Sequence, residues 1–285
     1  MTQLPQHPPG LRLPCARQIE VLREPTRGRV RCALFDFDGT LSLIRTGWQE
    51  VMIPMMVEVL AATPMAEDRP TLARLVREYV DTLTGKQTIY QMIRLAEEVT
   101  RRGGRALEPL AYKRDYLDRL WLQIKHRVAG LRDGSVDPDE LLVPGARALL
   151  ENLRARGITC YLASGTDLPY VLDEAAALRV DHYFDGGISG ALDDHKRFSK
   201  AMIIDGILAD HDLHGPELVA FGDGYVEIEN TVAVGGIAVG AATDEVRREG
   251  IDAWKRNRLA LAGAHVIVPD FREQEALVGY LTAEA

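Results

Sequence analysis

Short apolar runs alternate with longer amphipathic runs along most of the chain. The short runs are three to six residues long, are rich in strand formers, and occupy residues 30–35, 158–163, 218–221, 237–239 and 265–268. Their length and composition predict buried strands. Helical periodicity lies between them, at residues 146–156, 168–178, 199–210 and 243–262, the last in one or two pieces. Strands that alternate with helices predict an α/β fold with a parallel, doubly wound sheet.

Residues 44–143 interrupt this alternation. Their apolar positions repeat at helical spacing in the stretches WQEVMIPMMVEVL, TLARLVREYVDTL, TIYQMIRLAEEV and YLDRLWLQI. The segment is too long for a loop, so it predicts an inserted all-helical domain, which we call the cap. Residues 1–28 contain several prolines and little periodicity, which predicts an N-terminal arm outside the core. The predicted core domain is then made of residues 29–43 and 144–285.

Composition narrows the classes of partner. The 285 residues include 42 acidic and 34 basic side chains, and the formal charge of -8 has the wrong sign for a surface that follows nucleic acid phosphates. No apolar run reaches the roughly 20 residues that a membrane helix needs. The sequence therefore predicts a cytoplasmic protein with neither a nucleic acid nor a membrane partner, and it leaves open whether the protein is a monomer or a homodimer.

Polar segments follow three of the predicted strands, and these segments are residues 36–40 (DFDGT), 164–167 (SGTD) and 222–224 (GDG). In an open parallel sheet, ligands bind outside the carboxyl ends of the strands, so the three segments are expected to meet at one site. Asp36 and Asp38 lie two residues apart and therefore point the same way in an extended chain. Gly39 then allows a turn that brings backbone amides close to an anion.

The DFDGT segment resembles the first signature of the haloacid dehalogenase superfamily of phosphohydrolases. The second signature, an apolar run that ends in Ser or Thr, is matched by the run ending at Ser164. The fourth is matched by Gly222, Asp223 and Glu227, although Asp is more familiar at the last of these positions. The insertion after the first signature is similar to the α-helical cap of the first type, as in phosphoglycolate phosphatase and β-phosphoglucomutase-like members.

The third signature is a lysine near the start of a helix, and the sequence offers two. Lys200 begins the apolar pattern AMIIDGIL and is the preferred candidate, whereas Lys196 lies in the preceding DDHKR turn.

The resemblance implies a magnesium-dependent phosphatase that acts on a small phosphate ester such as a sugar phosphate. Asp36 is then the nucleophile that forms an aspartyl phosphate, and Asp38 is the general acid and base. Mg²⁺ is held by Asp36, Asp223 and the backbone carbonyl of Asp38. The remaining implied roles are oxygen binding by Ser164 and Lys200, phosphate binding by Gly39, Thr40 and Gly165, and orientation of a metal-bound water or of Lys200 by Glu227, with Glu229 as the weaker candidate.

The cap offers fewer candidates. Lys86 lies in a polar loop, residues 84–88, that is expected to face the site and read the substrate. Arg45 and Trp48 lie near the start of the cap and are weaker candidates for the same task. Two alternatives stay open: a phosphosugar mutase of the same superfamily, and a phosphate-binding regulatory module without turnover. The dehalogenase branch fits poorly, because cleavage of a carbon–halogen bond needs neither an acid at Asp38 nor a metal at Asp223.

Overall fold

The computed structural model describes residues 6–14, 16–192, 194 and 197–283. Among these residues, eight strands form one sheet in the order β1-β2-β8-β7-β6-β3-β4-β5. The strands are β1 Leu11–Arg12, β2 Glu20–Val21, β3 Cys32–Phe35, β4 Thr159–Asp167, β5 Gly187–Ala191, β6 Leu218–Gly222, β7 Ile237–Ala241 and β8 Val266–Val268. Strands β3 to β8 pair in parallel, and only the edge strands β1 and β2 are antiparallel. The predicted doubly wound α/β sheet is therefore confirmed.

Ten α-helices accompany the sheet within the described part of the chain. They are α1 Trp48–Ala61, α2 Arg69–Leu83, α3 Thr88–Arg101, α4 Pro109–Asp133, α5 Ala146–Ala155, α6 Leu168–Ala177, α7 Lys200–Asp210, α8 Tyr225–Ala233, α9 Ala253–Ala262 and α10 Gln274–Thr282. Three of the four helices predicted outside the cap match α5, α6 and α7. The prediction over residues 243–262 was wrong in its first half, where only α9 is helical.

Strand β3 shows why the sheet is covered on both faces. All four of its residues are buried. Ala33 and Phe35 belong to the large apolar cluster that includes α5 and α6, whereas Cys32 and Leu34 pack on the other face with Ile204 of α7. Successive strand residues point to opposite faces, so a strand buried on both sides reads as a continuous apolar run rather than as an alternating one.

The N-terminal segment departs from its prediction as an arm outside the core. Its strand β2 pairs with β8 through Glu20 and Val21, and Ile19 is buried in the main apolar cluster. Strands of two residues are too short to produce a period-2 pattern, so the sequence carried no signal for them. Strand β5 was also missed, because its sequence GISGA holds two glycines, which are depleted in strands.

Helices α1 to α4 follow one another without strands and pack against one another, as the apolar repeats predicted. Helix α2 begins after Asp68, whose side chain accepts a hydrogen bond from Thr71 N at 2.8 Å. Met55 and Met56 of α1 are fully buried and belong to the main apolar cluster. The division of the chain into two domains stays a prediction, since buried residues of the cap and of the sheet belong to one continuous cluster. No described helix is both long and apolar enough to cross a membrane.

Candidate active site

The three predicted strand ends meet at one edge of the sheet. Strand β3 lies between β4 and β6, so Asp36 after β3 has Ser164 on one side and Asp223 on the other. Asp36 N donates a hydrogen bond to Phe221 O at 2.9 Å, which extends the β3–β6 pairing to the first residue of the site. The chain passes to one side of β3 with β4 and β5 and to the other side with β6, and such a reversal of strand order opens a crevice.

Lys200 joins two carboxylates at the base of this crevice. Its Nζ lies 2.9 Å from Asp36 Oδ1 and 2.9 Å from Glu227 Oε2. Ser199 precedes α7 and accepts a hydrogen bond from Met202 N at 3.1 Å, which sets Lys200 as the first residue of the helix. The geometry agrees with the preference for Lys200, whereas Lys196 lies outside the described residues.

The two ions of this pair shift each other's protonation. Burial raises the pKa of Asp36 well above its usual value, and the Lys200 charge opposes only part of that rise. Burial by itself lowers the pKa of the Lys200 ammonium, but Asp36 and Glu227 outweigh it, so that pKa lies above its usual value. Lys200 therefore stays a cation beside the predicted nucleophile.

A second lysine, which the sequence analysis did not single out, holds the third carboxylate. Lys255 Nζ of α9 lies 2.8 Å from Asp223 Oδ2 and 2.7 Å from Glu245 Oε1. Burial raises the pKa of Asp223 to about 6, although the Lys255 charge lowers it. Gly39 has φ +74°, and a Cβ there would lie 2.3 Å from Asp223 Oδ2, so the DFDGT turn needs glycine for this close approach.

Asp38 faces the same crevice through contacts with β4 and with the start of the cap. Its Oδ2 accepts a hydrogen bond from Thr166 Oγ1 at 2.8 Å and lies 3.5 Å from Ser164 Oγ. Its Oδ1 is buried and has no hydrogen-bond partner among the described residues, with Arg45 Nε 3.8 Å away. Arg45 itself is held by Glu174, at 2.6 Å from Nη2 to Oε1. Asp38 is thus positioned by Thr166 on one side and by the charge of Arg45 on the other.

The carboxylates suit a hard divalent cation. Asp36, Asp223 and Glu227 each offer an oxygen within 4.8 Å of the other two. Both oxygens of Glu227 already accept hydrogen bonds, Oε1 from Gly224 N at 2.7 Å and Oε2 from Lys200 Nζ. Those bonds fit the predicted orienting role of Glu227 better than direct ligation. Glu229 is exposed on α8 and does not take part.

A cavity of about 100 Å³ opens over these groups. Its lining from the core includes Asp36, Asp38, Gly39, Ser164, Gly165, Lys200, Asp223 and Glu245, and its lining from the cap side includes Arg45, Trp48, Met52, Lys86, Gln91 and Tyr116. Thr40 is fully buried and does not line the cavity, so its hydroxyl is not placed to bind phosphate.

The cap loop predicted at residues 84–88 lies on the core. A Cβ on Gly165 would lie 3.2 Å from Lys86 O, and one on Gly85 would lie 3.2 Å from Gly224 Cα. Gln87 Nε2 donates to Phe198 O at 2.8 Å. Lys86 is exposed, with its Nζ 5.9 Å from the centre of the Tyr90 ring. The loop therefore forms one wall of the cavity, and its contact with a substrate stays a prediction.

Three polar residues of the site were missed, and two of them left a signal. Thr166 lies two residues after Ser164, so it points the same way in an extended chain. Glu245 follows β7, whose carboxyl end lies at the same edge of the sheet. Lys255 gave no such signal, because a lysine in the first turn of a helix usually faces solvent and its sequence does not distinguish it from such a residue.

No protein of curated function matches the sequence. Three similar solved structures illustrate the fold. A predicted phosphoglycolate phosphatase from Haemophilus somnus 129PT is 16% identical, covers 88% of this chain and 98% of its own, and gives a TM-score of 0.58. CbbY from Rhodobacter sphaeroides in complex with phosphate is 22% identical, covers 86% of this chain and 96% of its own, and gives a TM-score of 0.53. A β-phosphoglucomutase from Clostridium difficile is 14% identical, covers 89% of this chain and 100% of its own, and gives a TM-score of 0.57.

At these identities the structural likeness shows a shared fold. The sequence itself matches the family model of haloacid dehalogenase-like hydrolases over residues 33–226, a range that runs from β3 to the start of α8. The match spans more than half of the chain and includes the DFDGT segment, Ser164, Lys200 and Asp223. The chain therefore belongs to the haloacid dehalogenase-like hydrolase family.

Proposed function

We propose that the protein is a phosphatase that hydrolyses a small phosphomonoester with Mg²⁺ and with Asp36 as its nucleophile. The observation that carries the proposal is the position of Asp36, a buried carboxylate 2.9 Å from the Lys200 ammonium and within 4.8 Å of the Asp223 and Glu227 oxygens. A phosphate ester is an anion, so a carboxylate can attack it only where cations offset the repulsion. This site supplies a fixed lysine and carboxylates suited to a divalent ion.

Asp36, Asp223 and the backbone carbonyl of Asp38 are the groups proposed to hold Mg²⁺. The ion would neutralise phosphate oxygens and the carboxylates around them. Lys200 and Ser164 would bind the oxygens that gather negative charge during transfer. Gly39 and Gly165 line the cavity, which supports their predicted contact with phosphate.

The phosphoryl group is transferred in two steps, first to Asp36 and then to water. In the first, an Asp36 oxygen forms a bond to phosphorus while the bond to the leaving oxygen breaks, and protonated Asp38 gives its proton to that oxygen. In the second, Asp38 takes a proton from water as the water oxygen bonds to phosphorus, and the bond to Asp36 breaks. Thr166 Oγ1 donates to Asp38 Oδ2 at 2.8 Å, which fixes the orientation of the carboxyl group for the proton transfers.

The substrate proposed is a small metabolite, such as a sugar phosphate. The cavity lies between the phosphate-binding groups of the core and the polar side chains of the cap, which suits a small ester. Lys86 is the cap cation proposed to contact that leaving group. Lys86→Ala is expected to raise KM for the preferred substrate, and an unchanged KM for every accepted substrate would remove Lys86 from the proposal.

The experiment that tests the function is a phosphate-release assay on the full chain. An aryl phosphate, a set of sugar phosphates, phosphoglycolate and nucleotides are each supplied with Mg²⁺, with EDTA, and with Asp36→Asn as the matched control. Release of phosphate that requires both Mg²⁺ and Asp36 is the expected result. Conversion of one sugar phosphate into its isomer without phosphate release would show a mutase instead. Binding of phosphate without turnover of any compound would show a regulatory module.

A further inference from the structure

The Lys255–Glu245 pair belongs to none of the four segments that match the family signatures. Glu245 lies in the loop after β7, and Lys255 lies in the first turn of α9. Both side chains are largely buried, at 18% and 12% exposure, and both turn toward Asp223 rather than toward solvent. Burial of an ammonium costs free energy unless carboxylates lie beside it, and here Asp223 and Glu245 do.

The backbone around the pair is held in place. Asp252 is the N-cap residue of α9 and accepts a hydrogen bond from Lys255 N at 2.9 Å. Asp252 N in turn donates to Ala242 O at 2.8 Å, which closes the loop between β7 and α9. On the other side, Thr46 Oγ1 donates to Glu245 Oε2 at 3.1 Å. These hydrogen bonds fix the first turn of α9 and so hold the Lys255 ammonium beside Asp223.

Lys255 donates a hydrogen bond to Asp223 Oδ2, an oxygen of a carboxylate in the proposed metal site. We propose that Lys255, held by Glu245, is a positioning residue that acts through Asp223 and competes with the divalent cation for that carboxylate. The proposal rests on the metal site of the proposed function. Its consequence is that the site binds its cation more weakly than its carboxylates alone would, which favours exchange of the ion.

The proposal makes a charge-dependent prediction. Without the lysine charge, Asp223 and Glu245 are two like charges with no counter-ion between them, and a divalent cation relieves their repulsion. Charges a few ångströms apart interact strongly in a buried site, so Lys255→Met is expected to tighten cation binding about tenfold. Glu245→Gln has the opposite effect, because it leaves Lys255 with Asp223 as its only carboxylate partner.

The experiment measures Mn²⁺ binding to the full chain without substrate, by the electron paramagnetic resonance signal of free Mn²⁺. Lys255→Met is expected to lower the Kd about tenfold, and Lys255→Arg, which keeps the charge, is expected to stay close to wild type. Glu245→Gln is expected to raise the Kd. The double variant Lys255→Met with Glu245→Gln restores the net charge and is expected to return the Kd toward the wild-type value. Asp223→Asn is the control that loses the ligand.

An equal or weaker Mn²⁺ affinity in Lys255→Met would overturn the proposal, as would an unchanged affinity in Glu245→Gln. Thermal unfolding by circular dichroism identifies a variant that fails to fold, and Glu245→Gln then carries the test alone. Failure of the proposed function is distinguishable, because it appears as absent phosphate release while the Mn²⁺ pattern persists. Failure of this inference appears as an unaltered Mn²⁺ pattern in a protein that still releases phosphate.

Discussion

Two lysine clusters of nearly the same geometry lie on opposite sides of the site. Lys200 bridges Asp36 and Glu227 with both contacts at 2.9 Å, and Lys255 bridges Asp223 and Glu245 with contacts at 2.8 and 2.7 Å. Each cluster joins one aspartate that follows a strand to one glutamate nearby. The chemistry expected of them differs, because the first lysine touches the proposed nucleophile and the second touches a proposed metal ligand.

Burial separates the clusters further. The side chains around Lys200 are 2–9% exposed, whereas those around Lys255 are 12–18% exposed. Burial raises the pKa of Asp36 well above its usual value and that of Asp223 only to about 6. A lysine–carboxylate cluster therefore has no single role. Its depth and the partner it touches decide whether it serves the reacting atoms or the ion beside them.

The largest effect is expected at the buried cluster. Asp36→Asn removes the nucleophile and keeps the side-chain shape, so kcat is expected to fall by about 10³-fold or more. Phosphate release under saturating Mg²⁺ measures the change, and circular dichroism confirms the fold. Retention of a substantial part of the activity would mean that the Lys200 cluster is not the reacting half of the site.

The next largest effect is expected when the two lysines are replaced one at a time. Lys200→Met is expected to lower kcat by about 10²-fold, because it removes a fixed charge that is needed most where negative charge gathers in the transition state. Lys255→Met is expected to act instead on the Mg²⁺ concentration that gives half of the full activity. Titrations of Mg²⁺ and of substrate on both variants separate these effects. The distinction between the clusters would be lost if both variants changed only the Mg²⁺ requirement.

The residues of the Lys200 cluster could be predicted from the sequence, whereas those of the Lys255 cluster could be predicted only in part. An apolar run followed by DFDGT places Asp36 at a strand end, and a lysine that begins an apolar helical pattern identifies Lys200. Lys255 and Glu245 lie in residues 243–262, which were predicted as helix in one or two pieces. In the structure a bridge between Thr243 and Ile251 bends that stretch back, and the helix starts only after Asp252. Contacts far apart along the chain override helical propensity there.

The N-terminal segment and α8 illustrate the same limit. Strands β1 and β2 have two residues each and owe their existence to the neighbouring β8 edge. Helix α8 follows the GDG segment directly, where glycines predict a turn, and it begins with Gly224 N donating to the Glu227 side chain. Local patterns predict long elements with one buried face, whereas these short elements depend on partners that the sequence does not reveal.

A third buried ion pair lies outside the two lysine clusters and is expected to affect stability. Arg45 and Glu174 are 9% and 3% exposed and lie beside Asp38. Glu174→Gln is expected to lower the free energy of unfolding by about 3 kcal/mol, because it removes the nearer counter-charge of a buried guanidinium and leaves only Asp38, 3.8 Å away. Urea unfolding measures the loss.

The matched control for that pair is Asp173, the residue that precedes Glu174 in the same helix. Asp173 forms an exposed ion pair with Arg132, and Asp173→Asn is expected to cost less than about 1 kcal/mol. Equal losses for the two variants would show that the Arg45–Glu174 pair contributes no more than a surface pair.

The smallest effect is expected where α9 meets the cap. Arg258 lies three residues after Lys255 and donates hydrogen bonds to the carbonyls of Asp81, Thr82 and Thr84, at the end of cap helix α2. A cation at the carboxyl end of a helix satisfies carbonyls that have no partner within the helix. Arg258→Met is therefore expected to loosen the closed cap and to raise KM about threefold to tenfold, with a smaller change in kcat.

Arg256→Met on the same helix is the matched control, because Arg256 binds Glu20 of β2 and the N-terminal segment instead of the cap. Equal KM values for the two variants would show that Arg258 does not hold the cap. Arg258→Met is further expected to leave Mn²⁺ affinity without substrate unchanged, since its contacts reach the cap and not Asp223. A shift in that affinity would mean that helix α9 transmits cap closure to the Lys255 cluster, and that the two halves of the site are coupled rather than independent.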